Sequence, residues 1–302
     1  MERRRFGRSD IELSVLTFGS MGLDPARIDV AAAVRLLLGL CDAGVTSFHS
    51  SAEYASYELF TAAVRQLRHV APAATVTHIC KIALPDWDGR FTRGALTARV
   101  DAELSALAAE RIDVVQWLLR SSPLADPSRL AALGAMAGEF AAEWADLREA
   151  GKVGVLASFP YSTAFAAAVL DVAPLGGFVT YLNLAERELV GLLPAIVELG
   201  QGVAAIRPLG AGRFAAGGAE TAALADTLGV APDDLAATAL RFPLLHPAVA
   251  SVIVGVSSPA HAARAVEALD GVRPDPDRFA VLVAQLDAAD GPAGRAGTPT
   301  TT

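Results

Sequence analysis

Eight short apolar runs recur along the chain, and alanine-rich stretches of helical character separate them. The runs are residues 15–18, 45–48, 76–81, 112–119, 153–157, 178–183, 203–206 and 249–254. Between them lie helical patterns such as residues 30–41, 96–108, 130–150 and 259–269. Strands that are apolar throughout, rather than alternating, belong to parallel sheets whose faces are covered by helices. Eight such units predict a single (β/α)8 TIM barrel. A doubly wound open sheet is the alternative. It calls for a glycine-rich loop after the first strand, and Thr17-Phe18-Gly19-Ser20-Met21-Gly22 matches one poorly. Ahead of the barrel, residues 3–15 alternate polar and apolar side chains around Gly7-Arg8-Ser9-Asp10, which predicts an N-terminal β-hairpin serving as a floor.

Residues 275–290 read as a last outer helix, so residues 1–290 form one domain. Residues 291–302 carry almost nothing apolar to bury and are expected to be a flexible tail. Of the 302 residues 53% are hydrophobic, a share raised by alanine, yet no uninterrupted apolar run reaches the ~18 residues of a spanning helix. The basic start is not followed by an apolar stretch, so no secretory signal is expected. Cys41 and Cys80 lie in apolar segments and read as free thiols in a reducing, cytoplasmic setting. The net charge of −8 argues against nucleic acid as a partner. The expected partner is a small-molecule substrate, with no membrane contact and a monomer or simple homo-oligomer. No His, Cys or carboxylate spacing reads as a metal site.

Chemistry concentrates in Phe48-His49-Ser50-Ser51-Ala52-Glu53-Tyr54-Ala55-Ser56-Tyr57-Glu58. There the second run, residues 45–48, gives way to a polar turn and then a helix. Barrel enzymes place their reacting groups at the carboxyl ends of strands. His49 titrates near neutral pH, Tyr54 offers a hydroxyl, and Lys81, at the end of the third run, offers a cation. Glu53, beside Tyr54, is a candidate carboxylate, against the plainer reading of a solvated turn residue.

The same stretch resembles the aldo-keto reductase signature, an Asp-Thr-Ala turn followed by Tyr-Gly-x-Ser-Glu. Further segments are similar in the same order. They are Arg5-Phe6-Gly7-Arg8-Ser9, Leu16-Thr17-Phe18-Gly19-Ser20-Met21, Asp42-Ala43-Gly44-Val45, Thr77-His78-Ile79-Cys80-Lys81, Arg111-Ile112-Asp113-Val114-Val115-Gln116, Glu149-Ala150-Gly151-Lys152-Val153, Arg207-Pro208-Leu209-Gly210-Ala211-Gly212 and Val254-Gly255-Val256-Ser257-Ser258. The resemblance runs nearly the whole chain. It implies a barrel that reduces carbonyls with NADPH, in which a tyrosine protonates the carbonyl oxygen. A lysine paired with an aspartate supports that tyrosine, and a histidine orients the substrate. On this sequence the tyrosine is Tyr54 and the lysine Lys81, while His49 stands at the aspartate position and Leu118 at the histidine position. At the nicotinamide end, Phe159-Pro160 stand where the family has Ser-Asn, Val179 stands for a glutamine and Ile206 for an aromatic. On the phosphate side, Gly19, Ser20, Gly210, Gly212, Ser257 and Arg264 are the candidate cofactor-binding residues. Trp87, Trp117, Leu118, Arg120 and Arg207 are the candidate substrate-binding residues.

These departures lead to an expectation of redox-neutral acid/base chemistry, a cyclisation, dehydration or isomerisation, by His49, Tyr54 and Lys81 with no cofactor required. The alanine- and arginine-rich composition suggests bacterial specialised metabolism. The alternatives are an NADPH-dependent carbonyl oxidoreductase with an atypical tetrad and a non-catalytic barrel.

Overall fold

The structure, a computed structural model, describes residues 1–82, 92–117, 126–160, 162–172 and 174–290. Strands β1 (Arg3–Arg5) and β2 (Glu12–Ser14) form an antiparallel hairpin. Strands β3 (Leu16–Gly19), β4 (Ser47–Ser51), β5 (Thr77–Ile82), β6 (Ile112–Trp117), β7 (Val153–Ser158), β8 (Leu175–Tyr181), β9 (Gly202–Ile206) and β10 (Val249–Gly255) close into a barrel in chain order, β10 returning to β3. Every barrel pairing is parallel.

The helices α1 (Val30–Asp42), α2 (Tyr57–Val70), α3 (Ala95–Leu107), α4 (Asp126–Glu149), α5 (Thr163–Val169), α6 (Leu193–Glu198), α7 (Ala219–Leu228), α8 (Leu235–Arg241) and α9 (Pro259–Leu269) lie between or after the strands. Helix α10 (Pro276–Asp290) closes the described chain. None of the described helices is long and apolar enough to cross a membrane. Local sequence sets their starts. Asp29 caps α1 by accepting from Ala32 N at 2.7 Å, and Ser258 caps α9 with Pro259 at its first position.

Two apolar layers result from the alternation of side chains along each strand. Ile79, Val114, Val155, Ala157, Val179, Ala204 and Ile253 fill the barrel, and Phe6, Ile11 and Leu13 of the hairpin plug it from the amino end. The larger layer, with Phe18, Phe48, Phe60, Trp117 and Phe140, lies between strands and helices. Phe6 fits because Gly177 and Gly202 leave room: a Cβ on Gly177 would stand 2.1 Å from Gly202 O and 2.7 Å from the Phe6 ring. Burying such a ring contributes about 2–3 kcal/mol.

Two boundaries differ from the sequence reading. The polar stretch His49–Ser51 continues strand β4 rather than turning out of it, and all five residues of β4 are buried. Its hydroxyls are satisfied inside, as Ser47 Oγ accepts from Ser14 N at 2.9 Å, so polarity does not end the strand. Strand β8 starts at Leu175 because Gly176 and Gly177, without apolar side chains, hide the strand's first half. Residues 291–302 lie outside the described residues.

Candidate active site

Register brings the candidate groups to one mouth of the barrel. His49 and Ser51 on β4 point inward with Ser47, while Phe48 joins the outer layer. On β5 the same alternation turns Lys81 inward beside Ser51, its register partner, and on β6 it turns Gln116 inward beside Lys81. Tyr54 stands in the turn between β4 and α2, where Tyr54 N bonds Ser51 O at 3.1 Å and Tyr57 N bonds Tyr54 O at 2.9 Å.

Lys81 is 7% exposed, and its Nζ lies 2.6 Å from Glu53 Oε2. The same ammonium is 5.7 Å from the centre of the Tyr54 ring. A nearly buried cation needs a partner in a setting of low polarity, and the turn glutamate supplies it. Glu53 keeps 43% of its side chain exposed while its carboxylate reaches the buried ammonium, so it is both a solvated turn residue and the partner of Lys81. Adjacency to Tyr54 was the signal in the sequence. Its pairing with Lys81 became visible only when β4 and β5 were placed in register.

His49 is buried, with its ring centre 6.0 Å from that of Tyr54. Its Nε2 is 2.9 Å from Gln116 Oε1, and Gln116 Nε2 donates to Val179 O at 2.8 Å. Burial pushes the imidazole down to about 4, the Gln116 hydrogen bond opposes this, and the Lys81 charge adds to it. His49 is thus neutral at pH 7. Sequence reading did not assign a role to Gln116.

The facing wall is aromatic and cationic. Phe159 meets Tyr181 edge-on with ring centres 5.1 Å apart, and the Arg207 guanidinium lies 4.9 Å from the Tyr181 ring centre. Arg207 adopts φ 54°, a left-handed conformation that costs a non-glycine residue roughly 1 kcal/mol or more. No described carboxylate pairs with its side chain. Asn183, just past β8, serves its own turn: Oδ1 accepts from Ala185 N and Glu186 N, and Nδ2 donates to Glu186 Oε2 at 2.7 Å.

Trp117 requires a correction. It follows inward-facing Gln116, so it points outward, where it is fully buried and stacks on Phe140 at 4.1 Å. It is core, not pocket wall. Trp87, Leu118 and Arg120 lie outside the described residues.

A cavity of about 820 Å³ opens between the loop after β9 (Leu209, Phe214), α8 (Arg241) and the start of α9 (His261, Arg264). Gly210 and Gly212, at φ 56° and 96°, allow the loop's tight path. Ser257 Oγ bonds His261 Nδ1 at 2.9 Å, so it helps to orient the histidine. Gly19 keeps β3 against β10, since a Cβ there would stand 3.2 Å from Val254 O, and Ser20 Oγ is sealed without a hydrogen-bond partner among the described residues. Arg241, His261 and Arg264 could meet the anionic groups of a dinucleotide, while Asp233, Asp234 and Glu267 line the same cavity.

The eight-stranded barrel thus gathers a tyrosine, a lysine and a carboxylate at the carboxyl ends of its early strands, where barrel enzymes place their reacting groups. The chain belongs to the aldo/keto reductase family, whose sequence model matches residues 15–284. Comparison with curated proteins found no match. Among solved structures, the fold is similar to the holo form of aldo-keto reductase AKR11C1 from Bacillus halodurans, with TM-score 0.77 and 19% identity over 98% of this chain and 99% of that one. The apo form of the same protein gives TM-score 0.74 at the same identity and coverage.

These findings overturn the expectation that the site requires no cofactor. The family to which the chain belongs, the aldo/keto reductases, typically binds NADP(H).

Proposed function

We propose that the chain is a nicotinamide-dependent carbonyl oxidoreductase with an altered tetrad, Tyr54, Lys81, Glu53 and His49. The observation that carries the reading is the 2.6 Å Lys81–Glu53 pair. It supplies from the turn the carboxylate that His49 does not supply from β4. When bound, the nicotinamide supplies or accepts the hydride. The chain's residues handle the proton and the charge. Tyr54 donates its phenolic proton to the substrate's carbonyl oxygen as that oxygen gains electrons. Lys81, held charged by Glu53, stabilises the phenolate left behind. Glu53 is 43% exposed at its side chain, so it links the buried ammonium to solvent protons. Arg264 and His261 hold the dinucleotide phosphate. Phe159, Tyr181 and Ile206 offer an apolar wall for the ring, and Arg207 offers a cation for an anionic group on the substrate. The test follows reduced nicotinamide across a panel of aldehydes and ketones: wild type consumes it and Tyr54→Phe does not.

A second reading, redox-neutral acid/base chemistry with the dinucleotide bound, is favoured by Phe159 and Pro160. Neither offers a side-chain amide to the carboxamide. It would convert substrate without changing the nicotinamide's absorbance. The alanine- and arginine-rich composition supports a task in bacterial specialised metabolism under either reading.

A further inference from the structure

Residues 52–56 join β4 to α2 and carry Glu53 and Tyr54, and Ala52, Glu53 and Ala55 are exposed. Ser56 stands at the cap position of α2, yet its side chain makes no capping hydrogen bond. Its hydroxyl is sealed without a partner among the described residues. The junction of turn and helix therefore lacks the usual local anchor.

Tyr57, the first residue of α2, supplies another. Its amide donates to Tyr54 O at 2.9 Å, and its hydroxyl donates at 2.9 Å to Oε2 of Glu103 on α3, 46 positions along the chain. Glu103 is only 5% exposed, and no described Lys or Arg forms an ion pair with it. A buried carboxylate holds such a donor firmly, because losing it leaves the oxygen unsatisfied. Burial pushes the Glu103 carboxyl up, while the Tyr57 hydrogen bond and then the Arg99 charge oppose this. Burial first, and the Glu103 charge second, push the Tyr57 phenol well up, so the proton stays on Tyr57.

Helices α2 and α3 are also tied elsewhere. Arg65, about two turns further along α2, donates to Ala106 O at 2.7 Å and to Ser105 O at 3.1 Å. Tyr57 acts instead at the end of α2 that meets the turn.

We propose that Tyr57 and Glu103 are positioning residues, whose hydrogen bond is a strut from α3 that holds the turn so that Glu53 meets Lys81 beside Tyr54. The kinetic consequence rests on the carbonyl-reduction reading. The strut does not.

The experiment uses the full chain and two readouts. In amide hydrogen exchange, Tyr57→Phe should speed exchange at the Tyr54 and Tyr57 amides about tenfold and leave the Phe279 amide of α10 unchanged. In turnover of NADPH with the panel's best aldehyde, Tyr57→Phe and Glu103→Leu should lower kcat about tenfold with KM within about twofold, one hydrogen bond's share. Glu103→Gln, whose amide oxygen still accepts, should restore kcat. Arg65→Ala should leave kcat within about twofold. On a Glu53→Gln background, Tyr57→Phe should lower kcat no further, since the strut acts through the Lys81–Glu53 pair. Unchanged exchange in the turn, a kcat loss equally large in Arg65→Ala, or full multiplication of the Tyr57→Phe and Glu53→Gln losses would overturn the proposal. If Tyr57→Phe fails to fold, the contrast between Glu103→Gln and Glu103→Leu decides in its place. A wild type that turns over no aldehyde would count against the carbonyl-reduction reading, while exchange at the two amides would still decide the strut.

Discussion

Lys81 Nζ and Glu53 Oε2 lie 2.6 Å apart, joining a strand that ends inside the barrel to a turn that ends outside it. The pair fixes the ammonium 5.7 Å from the centre of the Tyr54 ring and gives the tyrosine a cation whose own charge is balanced. Glu53→Gln removes the balance but keeps the shape. The expected outcome is a fall in kcat/KM of about 10- to 100-fold, because a charge-assisted bond contributes roughly 1.5–3 kcal/mol. The half-exposed glutamate limits the stability loss to about 1 kcal/mol. Steady-state kinetics and urea unfolding of the same preparation would check both.

Tyr54→Phe keeps the ring and deletes the proton. The turn is held by the Tyr54 main chain, so the fold should survive. Positioned proton transfer is worth about 10²–10⁴-fold, and kcat should fall by that factor. Dinucleotide affinity, read by fluorescence, should stay within about twofold, since Tyr54 lies outside the cavity at α9.

His49 makes stability fall in acid. Above pH 6.5 the residue is neutral in both folded and unfolded chains. Below that pH the unfolded chain takes up a proton, while the folded chain does not until about pH 4. The unfolded state binds more protons in this window, so the contribution is present above pH 6.5 and is lost as pH falls towards 4. Among the described residues, Gln116 on β6 and Lys81 on β5 act on His49, and the Tyr54 ring centre stands 6.0 Å from its own. The gap corresponds to about 3 kcal/mol. Urea unfolding at pH 7 and pH 4 should show wild type losing more stability than His49→Gln by roughly that amount. His78, lowered to about 3 by burial and then by Arg68, acts in the same direction in both proteins and cancels.

Trp117→Ala separates core from pocket wall. Stacked on Phe140 with Trp144 nearby, the indole belongs to the packing under α4. Its truncation should cost about 3–5 kcal/mol of stability, measured by denaturant unfolding. If Trp117 lined the substrate pocket instead, KM would change and stability would not.

The barrel was legible because its signal is local: each apolar run states its own strand, and each alanine-rich stretch its own helix. The site was legible in part. Tyr54, Lys81 and His49 were named from one turn and one strand end. Gln116 was not, because it lies 67 positions from His49 and only the closed register brings the two side chains together. Glu53 was weighed as a solvated residue, since exposure of a turn is a reasonable default until a buried cation stands beside it. Trp117 was misplaced for a related reason. On an apolar strand buried on both faces, sequence does not say which alternate residues point inward, and a one-residue shift exchanges the faces.

The claim at the centre of this account is that the barrel binds a nicotinamide dinucleotide and uses it with Tyr54 and the Lys81–Glu53 pair. The most direct test is a titration of the purified chain with NADPH, following cofactor fluorescence and the melting temperature together. The account predicts a saturable change in fluorescence and a rise in Tm of several degrees at saturation, as expected for a ligand that binds only the folded state. Neither change at NADPH concentrations up to the millimolar range would contradict it.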